Sequence, residues 1–107
     1  MIWELIHEET REGFNIRFYA TPETDSPEGH FDDGEETVAA IRDGRFEWFA
    51  VKAIAYKGGI ELAEDYLGAC CYESLRDFIR EDDYFADMRR QVIEDARAAI
   101  QRLTEAA

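Results

Sequence analysis

From Phe14 to Ala20 the chain alternates strictly, with Phe14, Ile16, Phe18 and Ala20 on one side and Asn15, Arg17 and Tyr19 on the other. A two-residue period suits a strand with one buried face; a helix would scatter these side chains around its circumference. Residues 2–8 alternate more weakly, with Trp3, Leu5 and His7 on one face and Ile2, Glu4 and Ile6 on the other. Between the two runs lies Thr10-Arg11-Glu12-Gly13, where Gly13 is free to take the positive φ of a tight turn. The expected product is a hairpin.

A second hairpin is expected downstream. Residues 45–57 are almost continuously apolar, which suits a central strand covered on one face and partly shielded on the other. Lys57-Gly58-Gly59 makes a turn, and Ile60 to Leu67 returns. Between the hairpins, Thr21 to Gly34 is loop chemistry with Pro22, Pro27 and Gly29. A short helix over Glu35–Arg42 follows, with Asp33 as its N-cap and Asp43-Gly44 closing it.

The last third is helical. Ser74-Leu75-Arg76-Asp77 has the form of a capping box, with Leu75, Phe78 and Ile79 as an apolar stripe. A second helix is expected from about Asp83. Its seam is Phe85, Met88, Val92, Ala96, Ala99, Ile100 and Leu103. The order ββαββαα predicts an α+β domain: a four-stranded antiparallel sheet with helices mainly on one face. At 107 residues and 46% hydrophobic content, one domain around one core is the natural size.

Charge narrows the partners. Twenty-five Asp and Glu stand against 12 Lys and Arg, a formal net charge of −13. Such a chain repels nucleic acid and anionic membranes, so neither is an expected partner, and it attracts cationic protein surfaces. Acidity also keeps a small domain soluble, which requires no partner. Cys70 and Cys71 are adjacent, too close in sequence for ordinary disulfide geometry. The first residues lack a secretory apolar run, and no window is long enough to span a bilayer. The expected location is the reduced cytoplasm.

No cofactor is expected. Glu28, His30, Asp32 and Asp33 have ligand chemistry but lack EF-hand spacing, and C-x-x-C and H-E-x-x-H are absent. Cys70 or Cys71 with His7 or His30 has the ingredients of a nucleophile and base, yet nothing in the sequence joins them. After an apolar strand, a cysteine is more often a small core residue. Trp3, Trp48, Phe49 and Tyr56 fall in strands, where aromatics fill cores. An exposed one would suit a protein anchor better than a base-stacking platform on so acidic a chain.

Two acidic groups remain as candidate partner-binding sites. The stretch Thr21–Glu36 has no Lys or Arg and carries Asp25, Glu28, Asp32, Asp33, Glu35 and Glu36 besides Glu23. Glu73, Asp77 and Glu81 recur every fourth residue, which on a helix stacks them about 6 Å apart in rise. Asp82, Asp83 and Asp87 extend that group, while Arg76 and Arg80 are placed to offset it. Arg89, Arg90, Arg97 and Arg102 offset the acids of the last helix, so charge is polarised along the chain.

The segment Gly59-Ile60-Glu61-Leu62-Ala63-Glu64-Asp65-Tyr66-Leu67-Gly68-Ala69-Cys70-Cys71-Tyr72-Glu73-Ser74, with Asp83-Tyr84-Phe85-Ala86-Asp87-Met88, resembles small acidic proteins carried by phages, prophages and plasmids. The first half of the chain has no part in this likeness. The resemblance implies a setting in which such proteins include anti-CRISPR and anti-restriction inhibitors, some of them nucleic-acid mimics. The expectation is a non-enzymatic inhibitor that binds the basic, nucleic-acid-binding surface of a CRISPR effector or restriction enzyme. The alternative is an acidic protein–protein interaction module without mimicry, homodimeric through an exposed apolar face of the Phe46–Tyr56 strand. A third reading, an enzyme or metal protein, would use the cysteines or the His30 loop.

Overall fold

A computed structural model describes residues 2–80 and 83–106. Strands β1 (Glu4–Arg11), β2 (Phe14–Pro22), β3 (Glu47–Lys57) and β4 (Ile60–Tyr72) form one antiparallel sheet in the order β1-β2-β3-β4. Helix α1 (Glu36–Arg42) links the two hairpins, and α2 (Leu75–Phe78) and α3 (Tyr84–Ala106) follow β4. This is the expected α+β order. Gly58 and Gly59 turn the second hairpin, with φ of 59° and 78°. Two consecutive positive φ values match the twist of the flanking strands, and glycine takes them without steric cost.

The alternation of β2 drives the core. Phe14, Ile16, Phe18 and Ala20 are buried, side by side with Phe49, Val51, Ala53 and Ala55 of β3. Helices α2 and α3 cover this face with Phe78, Phe85, Met88, Val92, Ile93 and Ala96. The rings interlock: Phe18 and Phe85 lie 4.6 Å apart, and Phe78 meets Phe85 and Phe49 edge-on at 6.4 and 6.2 Å. Each such pair contributes about 0.5–1.5 kcal/mol beyond area burial. On the opposite face of β3, Ala50 and Ile54 are also buried. The apolar residues Phe49, Ala50, Val51, Ala53, Ile54 and Ala55 are therefore spent inside the chain. The exposed apolar face that a homodimer through this strand requires is absent among them.

Four local expectations are corrected. Register shifts between Leu5 and His7, so Leu5 opposes Tyr19 while His7 opposes Phe18. The irregularity puts the two on different faces: Leu5 is exposed, and His7 packs edge-on against Phe85 at 5.1 Å. Strand β4 runs to Tyr72 rather than stopping at Leu67. Helix α2 is one turn, and Ser74 at its N-cap makes no side-chain capping bond. A single turn is too short to be stable alone, so burial of Phe78 holds it. The α3 seam also ends early: Leu103 is 65% exposed, and the other side chains of residues 101–105 are exposed with it.

One buried ion pair was not legible in the helical pattern. Arg89 Nη2 lies 2.8 Å from Glu9 Oε1, with side chains only 7% and 16% exposed. His7 Nε2 shares Glu9 Oε1 at 3.2 Å, Arg11 Nε reaches Oε2 at 3.3 Å, and the Arg89 guanidinium lies over Phe85 at 4.7 Å. This network ties β1 to α3 at the sheet edge.

Asp65 opposes Ala53 on the helix-covered face. Burial, then the Asp95 carboxylate, raises its pKa above the ordinary range. A raised native pKa means that the folded state holds the proton more tightly than the unfolded chain. Its stabilising effect is present below the unfolded value of about 3.9 and is lost as pH rises through the folded pKa. Asp65→Asn is expected to raise the thermal midpoint at pH 7, with the gain vanishing in acid. Paired melts across pH check this; an equal gain at every pH would contradict it.

Candidate functional site

Strand β4 carries a bulge. Phe49 opposes Cys70 and Val51 opposes Leu67, so Gly68 and Ala69 crowd into the space facing Ala50. Ala69 adopts φ 55°, and its N–H donates to Glu23 Oε1 at 2.6 Å. The other Glu23 oxygen accepts from Thr24 N at 2.9 Å, and Glu23 N donates to Trp48 O at 3.1 Å. Gly68 permits this close approach: a Cβ there would stand 3.0 Å from Glu23 Oε1. Glu23 thus clamps the start of the acidic loop across β3 onto β4.

Trp48 anchors the rest of the loop. It points away from the core because Phe49 points into it. Its Nε1 donates to Asp25 O at 2.8 Å, and its ring meets His30 and Phe31 at 5.3 and 5.8 Å. Phe31 thereby reaches the bulge. A cleft of about 330 Å³ opens there, walled by residues 67–72 of β4, Phe31 of the loop and Tyr84 at the start of α3.

One acid from each group, Asp33 and Asp83, acts on residues of the cleft wall. Asp32 and Asp33 follow Phe31 on the loop side, Glu73 follows Tyr72, and Asp83 precedes Tyr84. Electrostatics agree with this placement. Burial and then Asp33 push up the Cys71 thiol, and burial followed by Asp83 pushes Tyr72 up to about 12. Near the loop's start, Tyr66 is raised by burial and then by Glu23 and Asp25.

Several acids proposed as free are engaged. Glu28 is paired with Arg42 of α1, so it is not free although the loop itself holds no Lys or Arg. The Asp33 carboxylate accepts from Thr37 N at 3.2 Å and from the Thr37 hydroxyl, which lowers its pKa. It thus caps α1 from outside the N-cap position, which Glu35 occupies. Asp77 lies 3.6 Å from Arg80. Asp83 accepts from Tyr84 N at 2.8 Å and from the Tyr72 hydroxyl at 3.3 Å. Glu73 and Asp77 do not share a helix face, because α2 spans Leu75–Phe78 and Glu73 precedes it. Glu81 and Asp82 lie outside the described residues. Asp25, Asp32, Glu35, Glu36 and Glu73 are exposed, and none of them makes an ion pair among the described residues. Glu23 was missed as an organising residue because a clamp onto a bulge leaves no sequence pattern.

The other candidate chemistries find little support in this geometry. Cys70 is buried, and burial with a smaller effect of Glu23 pushes its pKa up to about 12. Activated nucleophiles need the opposite shift. His30 lies against Phe31 and Trp48, and no three His, Cys, Asp or Glu side chains converge among the described residues. Nor, among those residues, is any helix long and apolar enough to cross a membrane.

No protein-family model matches the chain, and comparisons with curated proteins and with solved structures give no match either.

Two substitutions test the loop architecture. Glu23→Ala is expected to cost about 1–3 kcal/mol, since it strips the bulge of a charged acceptor. It should also accelerate hydrogen exchange at the Ala69 amide; unchanged exchange there would refute the clamp. Glu35 holds φ 77° without a side-chain capping bond. Glu35→Gly should therefore stabilise the fold by about 1 kcal/mol in denaturant titration. A loss of stability would show that the carboxylate makes a compensating interaction.

Proposed function

We propose that this protein is a non-enzymatic inhibitor of the mobile-element type, acting in the bacterial cytoplasm on a basic, nucleic-acid-binding surface of a defence protein. The observation that supports the reading is a net charge of −13 in a chain where Asp33 of the loop and Asp83 before α3 both act on the wall of one cleft. Asp32, Glu35, Glu36 and Glu73 are exposed and make no ion pair among the described residues. Fixed carboxylates oppose the Lys and Arg that a nuclease uses to hold phosphates, and they accelerate encounter at low salt. The engaged acids Asp33 and Asp83 hold the surface in shape, so the protein competes for the basic groove as a pre-organised body.

The alternative is an acidic interaction module that does not imitate nucleic acid. The sheet face opposite α3 favours it. There Lys52 Nζ lies 4.4 Å from the centre of the Trp3 ring, and Trp3 meets Tyr66 edge-on at 6.4 Å. Tyr66 and Leu5 are 57% and 48% exposed. Aromatic anchors of this kind bind protein by burial rather than by charge.

The test is DNA cleavage by purified CRISPR effectors and restriction enzymes with increasing inhibitor, across a salt series. Wild type is expected to inhibit at least one, with potency falling steeply as salt rises. The triple variant Asp32→Lys, Glu36→Lys, Glu73→Lys should lose about tenfold or more in potency while melting normally. Inhibition that ignores both salt and the triple change would move the assignment to the aromatic face. Absence of inhibition in every case would return the acidity to a solubility role.

A further inference from the structure

Strand β4 is an edge strand: it pairs with β3 alone along its 13 residues. Its outward N–H and C=O groups therefore form a template for another strand. Natural edges are blunted with Lys, Pro, bulges or inward-pointing charges. Strand β4 has no Lys or Pro, and its register irregularities, opposite Ala55/Tyr56 and at Gly68–Ala69, with the inward Asp65, leave Ala63 to Leu67 as its longest regular run. Its charged residues are Glu61, Glu64 and Asp65. Beyond them the edge runs into the cleft between Phe31 and Tyr84, where residues 67–72 form one wall and Tyr84 is 56% exposed.

We propose that the β4 edge and this cleft take an extended, Lys- and Arg-bearing segment of a partner protein as a fifth strand. The inference rests on the inhibitor reading for the partner's basic character and adds how that partner is gripped. Charge selects the occupant. A second copy paired edge to edge would bring Glu61, Glu64 and Asp65 against their own counterparts, in a chain of net charge −13. Like charges facing each other across a strand pair are destabilising, whereas cationic side chains at those positions are favoured. Main-chain bonds to β4 would supply affinity. Phe31 and Tyr84 would grip an apolar side chain, and the acids on both sides would take the flanking cations. The β1 edge has no comparable role: it is 8 residues long and is tied to α3 by the Glu9–Arg89 pair.

The test uses two peptides of identical sequence, an alternating Lys–Val strand of about eight residues, one with free backbone amides and one with all of them N-methylated. Both carry the same charge, but only the first can form a ladder. Full-length protein should bind the free peptide about tenfold or more tightly than the N-methylated one. Hydrogen exchange should slow in β4 and not in β1. Equal affinity for the two peptides, slowing confined to β1 or no slowing would overturn strand addition. So would a dimer whose β4 amides are already protected without peptide, since a second copy would then own the edge. The inhibitor reading is judged separately by the cleavage assay. Strand addition without inhibition keeps the edge site and removes the defence target. Inhibition with equal binding of the two peptides keeps the target and removes the edge site.

Discussion

Phe85 is the residue on which the packing turns. Its ring lies 4.6 Å from Phe18 on the sheet and 6.4 Å from Phe78 on α2, and it also meets His7 at 5.1 Å. The Arg89 guanidinium covers its remaining face at 4.7 Å. One side chain at the start of α3 thus joins β1, β2 and both C-terminal helices. The consequence for the site is positional. Holding the start of α3 against the sheet places Tyr84 and Asp83 beside the end of β4, where the cleft opens.

The acidity divides into parts with different physical roles. Glu9 neutralises a buried arginine, and Glu23 satisfies a backbone donor at a bulge. Asp33 and Asp83 accept from backbone donors near the starts of α1 and α3, where the helix dipole favours negative charge. Each of these carboxylates supports the fold. Asp32, Glu35, Glu36 and Glu73 have no such task. Mutual repulsion among unpaired acids is unfavourable for a compact chain.

The loop and the edge strand depend on one another. The clamp from Glu23 to Ala69 holds the bulge, and the bulge bends β4 where Phe31 can reach it. Trp48 is the ring that His30 and Phe31 both meet, and through Phe31 it holds the loop at the cleft. The candidate site is a product of tertiary contacts among three segments distant in sequence.

Much of the fold was legible in the residues alone. The period of Phe14–Ala20, the unbroken apolar content of 45–57 and the Gly58-Gly59 turn are local signals, and local backbone chemistry reads them directly. The acidic stretches were visible for the same reason. What the sequence could not show was which acids were occupied. Glu28 finds Arg42 fourteen residues on, and Glu9 finds Arg89 eighty residues on; no periodicity encodes either pairing. The regular spacing of Glu73 and Asp77 misled because helical spacing matters only where a helix exists, and Glu73 lies before α2. Sequence by itself determined the elements, their order and the sign of the surface, because each follows from neighbouring residues. Only the tertiary structure decided which carboxylates are engaged and which remain free, because that depends on side chains meeting across the folded chain.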